Sequence, residues 1–318
     1  MAEAVGEAPG KALLMGEHAV VYGHPAIAVP LRSVKATATV EFSRNGGIEI
    51  YAPEIGEHIT SVSEASPRLA PLAKLVETVS RFFGEERQGY RVLIESTIPI
   101  GRGMGSGAAA AVALVRAVCT ALGRSLDADA IGEFANAAEI AYHGNPSGVD
   151  TAVIARDEPV YFVKSKPIRG IEVGPSAFVL VVADTGIASS TAQVVEDVRR
   201  ARRKDKARYD SYFWELGSMA SVAREVIRTG SPEELGLCMN NAQKTLRLLS
   251  VSCPELDALV STALEKGAFG AKLSGAGRGG SMIAVVDPAT NLEQFSADLR
   301  AAGAERVLTT ILSGGTQA

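Results

Sequence analysis

The chain has 318 residues, of which 47% are hydrophobic and 21% are charged. This length exceeds that of a typical single domain, and the composition is that of an ordinary globular protein, so we expect two α/β domains and no disordered segment. The formal net charge of −4 argues against a broad cationic surface for nucleic acid. The three cysteines form no CxxC pair, which excludes a zinc ribbon and fits a reducing compartment.

The first residues, MAEAVGEAPGKALLM, contain glutamates where a secretory signal peptide needs cations. The longest apolar runs are much shorter than a membrane-spanning helix requires. We therefore expect a cytoplasmic protein that binds no membrane.

The first half of the chain begins with a predicted loop and then alternates between strands and helices. PAIAVPL and VKATATVEF predict two strands, and GGIEIYAP predicts a partner strand reached through a turn at residues 45–47. LAKLVETVSRFFG has helical periodicity, YRVLIEST alternates like a strand, and a second helix is predicted to begin near Ser106. LDADAIGEFANAAEIAYHG predicts a third helix that ends at Gly144, followed by a loop over residues 145–150.

The second half opens with the apolar strand SAFVLVVADTG, which follows Gly174 and Pro175. We predict the domain boundary there, which gives domains of residues 1–175 and 176–318. Four amphipathic helices follow, in the segments STAQVVEDVRRARRKD, FWELGSMASVAREVIRTG, PEELGLCMNNAQKTLRLLS and PELDALVSTALEKG. AKLSGAGRGGSMIAVV then predicts a hairpin with a glycine-rich bend, NLEQFSADLRAAG a helix, and AERVLTTILS a closing strand.

The segment PIGRGMGSGAAA, residues 99–110, joins a predicted strand to a predicted helix through three spaced glycines. Glycines let backbone N–H groups approach a ligand closely, and a helix N-terminus adds unsatisfied N–H groups and a positive dipole end. This combination predicts a phosphate-binding loop. A tight strand-to-helix turn packed on a neighbour is the structural alternative.

Two common phosphate-binding motifs do not fit this chain. GEAPGKA has three residues between its glycines where a Walker A loop has four, and alanine follows Lys11 where that loop has Ser or Thr. The glycines at residues 275–280 match a dinucleotide-binding fingerprint, but a predicted strand follows them where that motif needs a helix.

Charged and polar residues stand out in two further segments. Lys11, Glu17 and His18 lie among apolar residues, where a core strand would avoid charge. Taken alone, Glu17 and His18 are better explained as a hydrogen-bonded structural pair than as catalytic groups. The basic run RRARRKDKAR, residues 199–208, fits the solvated face of an exposed helix better than an anion or nucleic-acid site.

Three segments, residues 8–23, 99–113 and 272–286, together resemble the signature motifs of the GHMP small-molecule kinases. GEHAVVYGHPAIAVP and HGNPSGVD are similar to the branch of that family that phosphorylates mevalonate. The resemblance implies an α/β (α+β) GHMP kinase fold of two domains, with a ferredoxin-like C-terminal domain and an active site in the cleft between the domains. It also implies ATP-dependent transfer of phosphate to mevalonate on the way to isoprenoids, Mg²⁺ as the cofactor, and a homodimer.

The resemblance assigns roles to individual residues of this sequence. It implies Asp150 as the base that accepts the proton of the attacking hydroxyl, and Lys11 as the cation that stabilises Asp150 and the transferred phosphoryl group. Glu139 and Ser106 are the implied Mg²⁺ ligands. The implied ATP-binding residues are Gly101, Gly103, Met104, Gly105, Ser106, Gly107 and Ala108, and the implied substrate-binding residues are Glu17, His18, Ser147 and Thr185.

The sequence departs from the family pattern at two positions. Gly107 stands where the family has a second serine, and Arg278 stands where the third motif has a glycine. Arg278 would either touch a phosphate or point into solvent. The alternatives for function are another GHMP kinase, for phosphomevalonate or a sugar, and a non-catalytic nucleotide-binding regulator.

Overall fold

The structure, a computed structural model, describes residues 3–43, 46–60, 65–85, 89–143 and 146–314. The chain forms two compact units that alternate along the sequence. The first unit comprises Met1–Gly10, Val34–Pro99 and Gly105–Asp157, and the second comprises Lys11–Ser33, Ile100–Met104 and Glu158–Ala318. Both units mix helices and strands, as predicted. The domain boundary after residue 175 stays a prediction.

A mixed sheet forms one layer of the first unit. Its strands are β1 (Ala4–Met15), β2 (Ala26–Ser43), β3 (Ile48–Ala52), β4 (Glu57–Ile59) and β5 (Gly89–Ser96), of which β1 and β2 continue into the second unit. The strand order is β4-β3-β5-β2, and β1 also pairs with β2. β3 runs parallel to β5, whereas β5 is antiparallel to β2.

Three predictions for this region were wrong. β1 is a strand where an opening loop was expected, because its glycines, proline and charges hide the apolar alternation. PAIAVPL and VKATATVEF form one continuous strand, β2, rather than two. β3 is not the hairpin partner of β2, since β5 lies between them. Apolar alternation identifies a strand but not its neighbour in the sheet. Asn45, in the predicted turn, lies outside the described residues.

The first unit has four helices in the described ranges, of which the first two contact the sheet: α1 (Ala70–Phe82), α2 (Ser106–Ala121), α3 (Ala128–His143) and α4 (Val149–Arg156). α2 is rich in alanine and valine and is buried on most of its surface, with α1, α3 and α4 packed against it. The predictions for α1, α2 and α3 are confirmed. α4 was not predicted, and it begins inside the segment expected to be a loop.

The second unit contains a four-stranded antiparallel sheet. Its strands β8 (Phe178–Asp184), β9 (Gly270–Ser274), β10 (Ser281–Val286) and β11 (Arg306–Leu312) lie in the order β11-β8-β10-β9. In chain order these are the fourth, first, third and second strands, which is the ferredoxin-like arrangement that was expected. The short strands β6 (Val160–Phe162) and β7 (Arg169–Gly170) extend from the first part of β2.

The helices of the second unit are those predicted from periodicity: α5 (Thr191–Lys204), α6 (Lys206–Thr229), α7 (Pro232–Leu248), α8 (Pro254–Glu265) and α9 (Leu292–Ala301). Four of them begin where a side chain caps the first turn, with Ser190, Asp205, Ser231 and Asn291 as the caps. None of the helices in the described ranges has the length and apolar character needed to span a bilayer.

The outer edge of β9 is satisfied by side chains of helix α7. Asn240 accepts a hydrogen bond from Ala271 N (3.0 Å) and donates one to Phe269 O (3.1 Å). Gln243, which is buried, accepts from Leu273 N (2.9 Å) and donates to Asp257 Oδ1 (3.2 Å). An edge strand presents unpaired backbone groups, so these amide side chains take the place of a neighbouring strand.

We expect Gln243→Met to lower the free energy of unfolding by about 1–3 kcal/mol, because the buried Leu273 N–H would lose its acceptor. The matched control is Gln294→Met on α9, an exposed glutamine whose amide donates to Asp298. The control should change stability by no more than about 0.5 kcal/mol. Urea unfolding measures both variants, and equal losses in the two would contradict this account of the β9 edge.

Candidate active site

The glycine loop, residues 100–108, leads into the first turn of helix α2. Gly101, Gly103 and Gly105 have φ values of 72°, 75° and 76°, a left-handed conformation that favours glycine. Gly105 is the N-cap of α2 and provides no side-chain cap, so no cap side chain covers the N–H groups of the first helical turn. Such a turn, followed by a helix N-terminus, is suited to bind phosphate.

Glu139 lies against the first turn of α2. The side chain is only 6% exposed. A Cβ atom added at Gly107 would come within 3.0 Å of Glu139 Oε1, so the carboxylate occupies the space that a side chain at residue 107 would fill. This contact gives a physical reason for the glycine that departs from the family pattern: a serine here would require Glu139 to move.

The donors at this point fit a magnesium ion. Glu139 offers carboxylate oxygens, which hard cations prefer, and Ser106 opens the same helix that the carboxylate contacts. In the part of the chain that the structure describes, no three His, Cys, Asp or Glu side chains gather into a metal cluster. A metal at Glu139 would therefore take few protein ligands and complete its shell with phosphate and water oxygens, which is typical of Mg²⁺ at phosphoryl-transfer sites.

Asp150 lies in the first turn of α4, and not in a loop as predicted. α4 starts at Val149 because Gly148, with φ 87°, serves as its N-cap. Ser147 adjoins the same turn, and its hydroxyl accepts a long hydrogen bond of 3.4 Å from Val149 N. A carboxylate in the first turn is stabilised by the helix dipole. Ser147 and Asp150 are thus brought together at one helix end, while Gly144 and Asn145 lie outside the described residues.

Lys11 and Glu17 are both buried in the second unit. Lys11 is 4% exposed, and its backbone N–H donates to Met104 O in the glycine loop (3.0 Å). The Glu17 carboxylate forms a fully buried ion pair with Lys272, whose ammonium group also donates to Leu273 O (2.7 Å). Burial raises the pKa of Glu17 and lowers the pKa of Lys272, while their mutual attraction opposes both shifts.

Lys272 was not among the predicted site residues. The signal that could have identified it is a lysine in the middle of the short apolar strand AKLS, where an uncompensated charge would be costly. Its neighbour Ser274 also contacts the N-terminal segment, since the Ser274 hydroxyl accepts from Leu13 N and donates to Leu13 O, both at 3.0 Å. The motif at residues 272–286 is therefore hydrogen-bonded to the motif at residues 8–23.

His18 contacts the glycine-rich bend between β9 and β10. His18 Nε2 lies 2.9 Å from Ala276 O. Burial is the main reason that the pKa of His18 is lowered to about 4; the Ala276 carbonyl opposes this shift and the positive charge of Arg278 adds to it. The imidazole is therefore neutral at neutral pH. Because Nε2 faces a carbonyl it carries the proton, and Nδ1 is a hydrogen-bond acceptor.

Thr185 follows β8 and is bound to the same bend. Both its backbone N–H (2.9 Å) and its hydroxyl (2.8 Å) donate to Gly280 O. Its hydroxyl oxygen accepts from Ile187 N (3.2 Å). These contacts orient Thr185 through its backbone and its side chain together.

Arg278 lies at an exposed position and forms an ion pair. Its guanidinium pairs with Asp197 Oδ2 on α5 at 2.6 Å, and the side chain is 39% exposed. This hydrogen bond lowers the pKa of Asp197. The basic run on α5 and α6 is likewise paired with carboxylates, since Arg199 binds Glu196 and Arg202 binds Asp210. The observed ion pairs agree with the solvated helix face preferred above.

Two family models match the chain: the N-terminal domain of GHMP kinases at residues 72–157, and the C-terminal domain of GHMP kinases at residues 223–305. The mevalonate kinase of Thermococcus gammatolerans is 33% identical over 97% of this chain and 96% of its own length. That of Pyrococcus abyssi is 34% identical over 97% and 95%.

Solved structures of mevalonate kinases are also similar to this chain. L. major mevalonate kinase in complex with R-mevalonate superposes with a TM-score of 0.83 at 26% identity, over 99% of this chain and 97% of that one. Mevalonate kinase from methicillin-resistant Staphylococcus aureus gives 0.70 at 30% identity, over 99% and 100%. The likeness extends over almost the whole chain. This chain belongs to the GHMP kinase family.

Proposed function

We propose that this chain is an ATP-dependent mevalonate kinase, which transfers the γ-phosphoryl group of ATP to the primary hydroxyl of (R)-mevalonate and forms 5-phosphomevalonate. The observation that carries the proposal is similarity over almost the whole chain to mevalonate kinases at 33–34% identity. A phosphomevalonate kinase and a galactokinase share the fold at only 17% and 18% identity. The proposed product is an early intermediate towards isoprenoids.

In this mechanism the glycine loop and the N-terminus of α2 hold the phosphates of ATP through backbone N–H groups. Glu139 and Ser106 would hold Mg²⁺, which when bound neutralises charge on the phosphates. Asp150 accepts the proton of the attacking hydroxyl, and Lys11 stabilises the negative charge that develops on the transferred group. Support comes from the left-handed glycines before α2, the Glu139–Gly107 contact, and the place of Asp150 in the first turn of α4.

We assign Glu17, His18, Ser147 and Thr185 to mevalonate binding. Glu17 supports this role because its Oε2 is buried and has no hydrogen-bond partner among the described residues, while Oε1 is held by Lys272. That oxygen can accept a substrate hydroxyl. The neutral His18 can do the same through Nδ1, so both residues are suited to hydroxyl groups rather than to the substrate carboxylate.

The proposal includes the wider setting of the enzyme. We expect a cytoplasmic homodimer that uses Mg²⁺, binds ATP and mevalonate, and interacts with neither nucleic acid nor membrane. We also keep the division into an N-terminal nucleotide-binding domain, residues 1–175, and a C-terminal domain, residues 176–318.

The direct test is Mg²⁺-dependent release of ADP from ATP with mevalonate, phosphomevalonate, galactose and homoserine as separate acceptors. The proposal expects release with mevalonate alone. Release with a different acceptor would mean that the chain is a GHMP kinase for another substrate. Nucleotide binding without release of ADP in the presence of any acceptor would favour a non-catalytic regulator.

Asp150→Asn should lower kcat with mevalonate by about 10²–10⁴-fold, because the amide cannot accept the proton of the attacking hydroxyl. ATP affinity, measured by calorimetry, should stay within about threefold of wild type, since the glycine loop is intact. The control is Asp129→Asn, an exposed carboxylate paired with Arg156 on the same unit. Retention of wild-type turnover by Asp150→Asn would refute its assignment as the base.

Gly107→Ala should weaken Mg²⁺ binding by roughly tenfold, because the new Cβ displaces the Glu139 carboxylate from the helix start. Calorimetric titration of Mg²⁺ into enzyme with a non-hydrolysable ATP analogue measures this effect without turnover. Gly132→Ala on α3 is the matched control, since its Cβ would meet no atom closer than 3.6 Å. Unchanged Mg²⁺ affinity in Gly107→Ala would argue against Glu139 as a ligand.

Stability should fall as the pH decreases from 7.5 to 5, partly because of His18. The pKa of His18 is about 4 in the folded protein against an ordinary 6.5, so the unfolded chain binds more protons in this range and gains stability from acidification. Through His18 alone, the free energy of unfolding should be lower by about 2 kcal/mol at pH 5 than at pH 7.5. Urea unfolding at both pH values should show a smaller loss in His18→Asn than in wild type, and His58→Asn, at an exposed position, should behave like wild type.

A further inference from the structure

Arg102 lies inside the glycine loop, between Gly101 and Gly103. Its side chain is only 17% exposed. Arg102 Nε lies 3.5 Å from Asp184 Oδ2, and Arg102 Nη2 lies 3.5 Å from Glu305 Oε2. One guanidinium thus pairs with a buried carboxylate at the end of β8 and with a more exposed one just before β11.

The backbone of Arg102 is held at the same place. Its carbonyl accepts a hydrogen bond from the Ser281 hydroxyl (3.3 Å). Gly280, which precedes Ser281, also lies close: a Cβ atom added at Gly280 would be 3.2 Å from the carbonyl oxygen of Arg102. Ser281 and Asp184 are direct cross-strand partners in the β10–β8 pair. The side chain and the main chain of Arg102 therefore contact two adjacent positions of one sheet.

These positions lead directly into the turn that carries Thr185. Asp184 Oδ1 accepts from Gly186 N (3.0 Å), and Asp184 O accepts from Glu305 N (2.8 Å). Thr185 is bound to Gly280, and Gly280 N in turn donates to Ile187 O (2.8 Å). The Thr185 turn and the Arg102 contact are therefore parts of one hydrogen-bonded cluster.

The charges make this contact hard to replace. Asp184 is 2% exposed, and burial raises its pKa, against the attraction of Arg102. Removal of the guanidinium would leave the buried carboxyl group without the cation that contacts it. An arginine presents several N–H groups in a planar fork and can face two carboxylates at once, whereas a lysine is a point charge.

We propose that Arg102 is a positioning residue that ties the glycine loop to the turn carrying Thr185. Through Asp184 and Ser281 it holds the segment that binds the nucleotide phosphates against the segment that binds the acceptor. The roles of the two segments rest on the proposed function, but the physical tie between them does not.

Hydrogen–deuterium exchange without ligands tests the tie itself. Arg102→Met and Asp184→Asn should each raise exchange in both segments, residues 100–106 and 185–188, because each variant breaks the same contact from one side. The Asp184→Asn variant keeps a side-chain oxygen that can accept the hydrogen bond from Gly186 N. Arg102→Lys should raise exchange to a level between those of wild type and Arg102→Met. Arg228→Met, which removes an ion pair with Glu225 on α6, is the control and should leave both segments unchanged.

The functional consequence is read from kinetics and nucleotide binding. The KM for ATP should rise about tenfold in Arg102→Met, with partial recovery in Arg102→Lys, because the loop is displaced from its binding geometry. The double variant Arg102→Met/Asp184→Asn should be no worse than the poorer single variant. A merely structural arginine would lower the unfolding midpoint and leave the KM for ATP unchanged.

The proposal is overturned if exchange rises only in the segment that carries the substitution, or if the two substitutions act additively. Its failure is distinct from failure of the proposed function. A wild-type protein that phosphorylates none of the four acceptors would refute the kinase assignment, while the exchange experiment would still decide whether Arg102 ties the two segments together.

Discussion

The fully buried ion pair between Glu17 and Lys272 is the interaction on which the second unit depends. Neither side chain has any exposure to solvent, so each charge requires the other to offset its desolvation. Removing one partner of such a pair typically costs about 3–5 kcal/mol, because the remaining charge is buried alone. The pair therefore fixes the N-terminal segment against β9.

Two further contacts follow from that pairing. Ser274 exchanges hydrogen bonds with the backbone of Leu13, and His18 reaches the carbonyl of Ala276. Residues 13–18 and 272–276, which are more than 250 positions apart in the chain, are thus joined at three points. β9 pairs with β10 along one edge, and helix α7 secures its outer edge through Asn240 and Gln243. The strand that carries Lys272 is held on both sides, as a positioned charge requires.

Periodicity allowed most helices to be predicted, because an amphipathic pattern depends on residues close together in the chain. The failures occurred where local pattern carries less information. α4 has eight residues, and its start depends on the left-handed conformation of Gly148, so it was taken for a loop. β3 was given the wrong neighbour, since the pairing of β3 with β5 joins segments about forty residues apart. Lys272 was missed because its partner, Glu17, is distant in the sequence.

The sequence by itself determined the family and the glycine loop that precedes α2, since these depend on short motifs with local backbone requirements. Only the tertiary structure decided which charges meet. It paired Glu17 with Lys272 rather than with His18, Arg278 with Asp197, and Arg102 with Asp184. It also placed Glu139 in the space left by Gly107. The physical reason is that burial changes the energy of a charge according to every group around it, and folding brings those groups from distant parts of the chain.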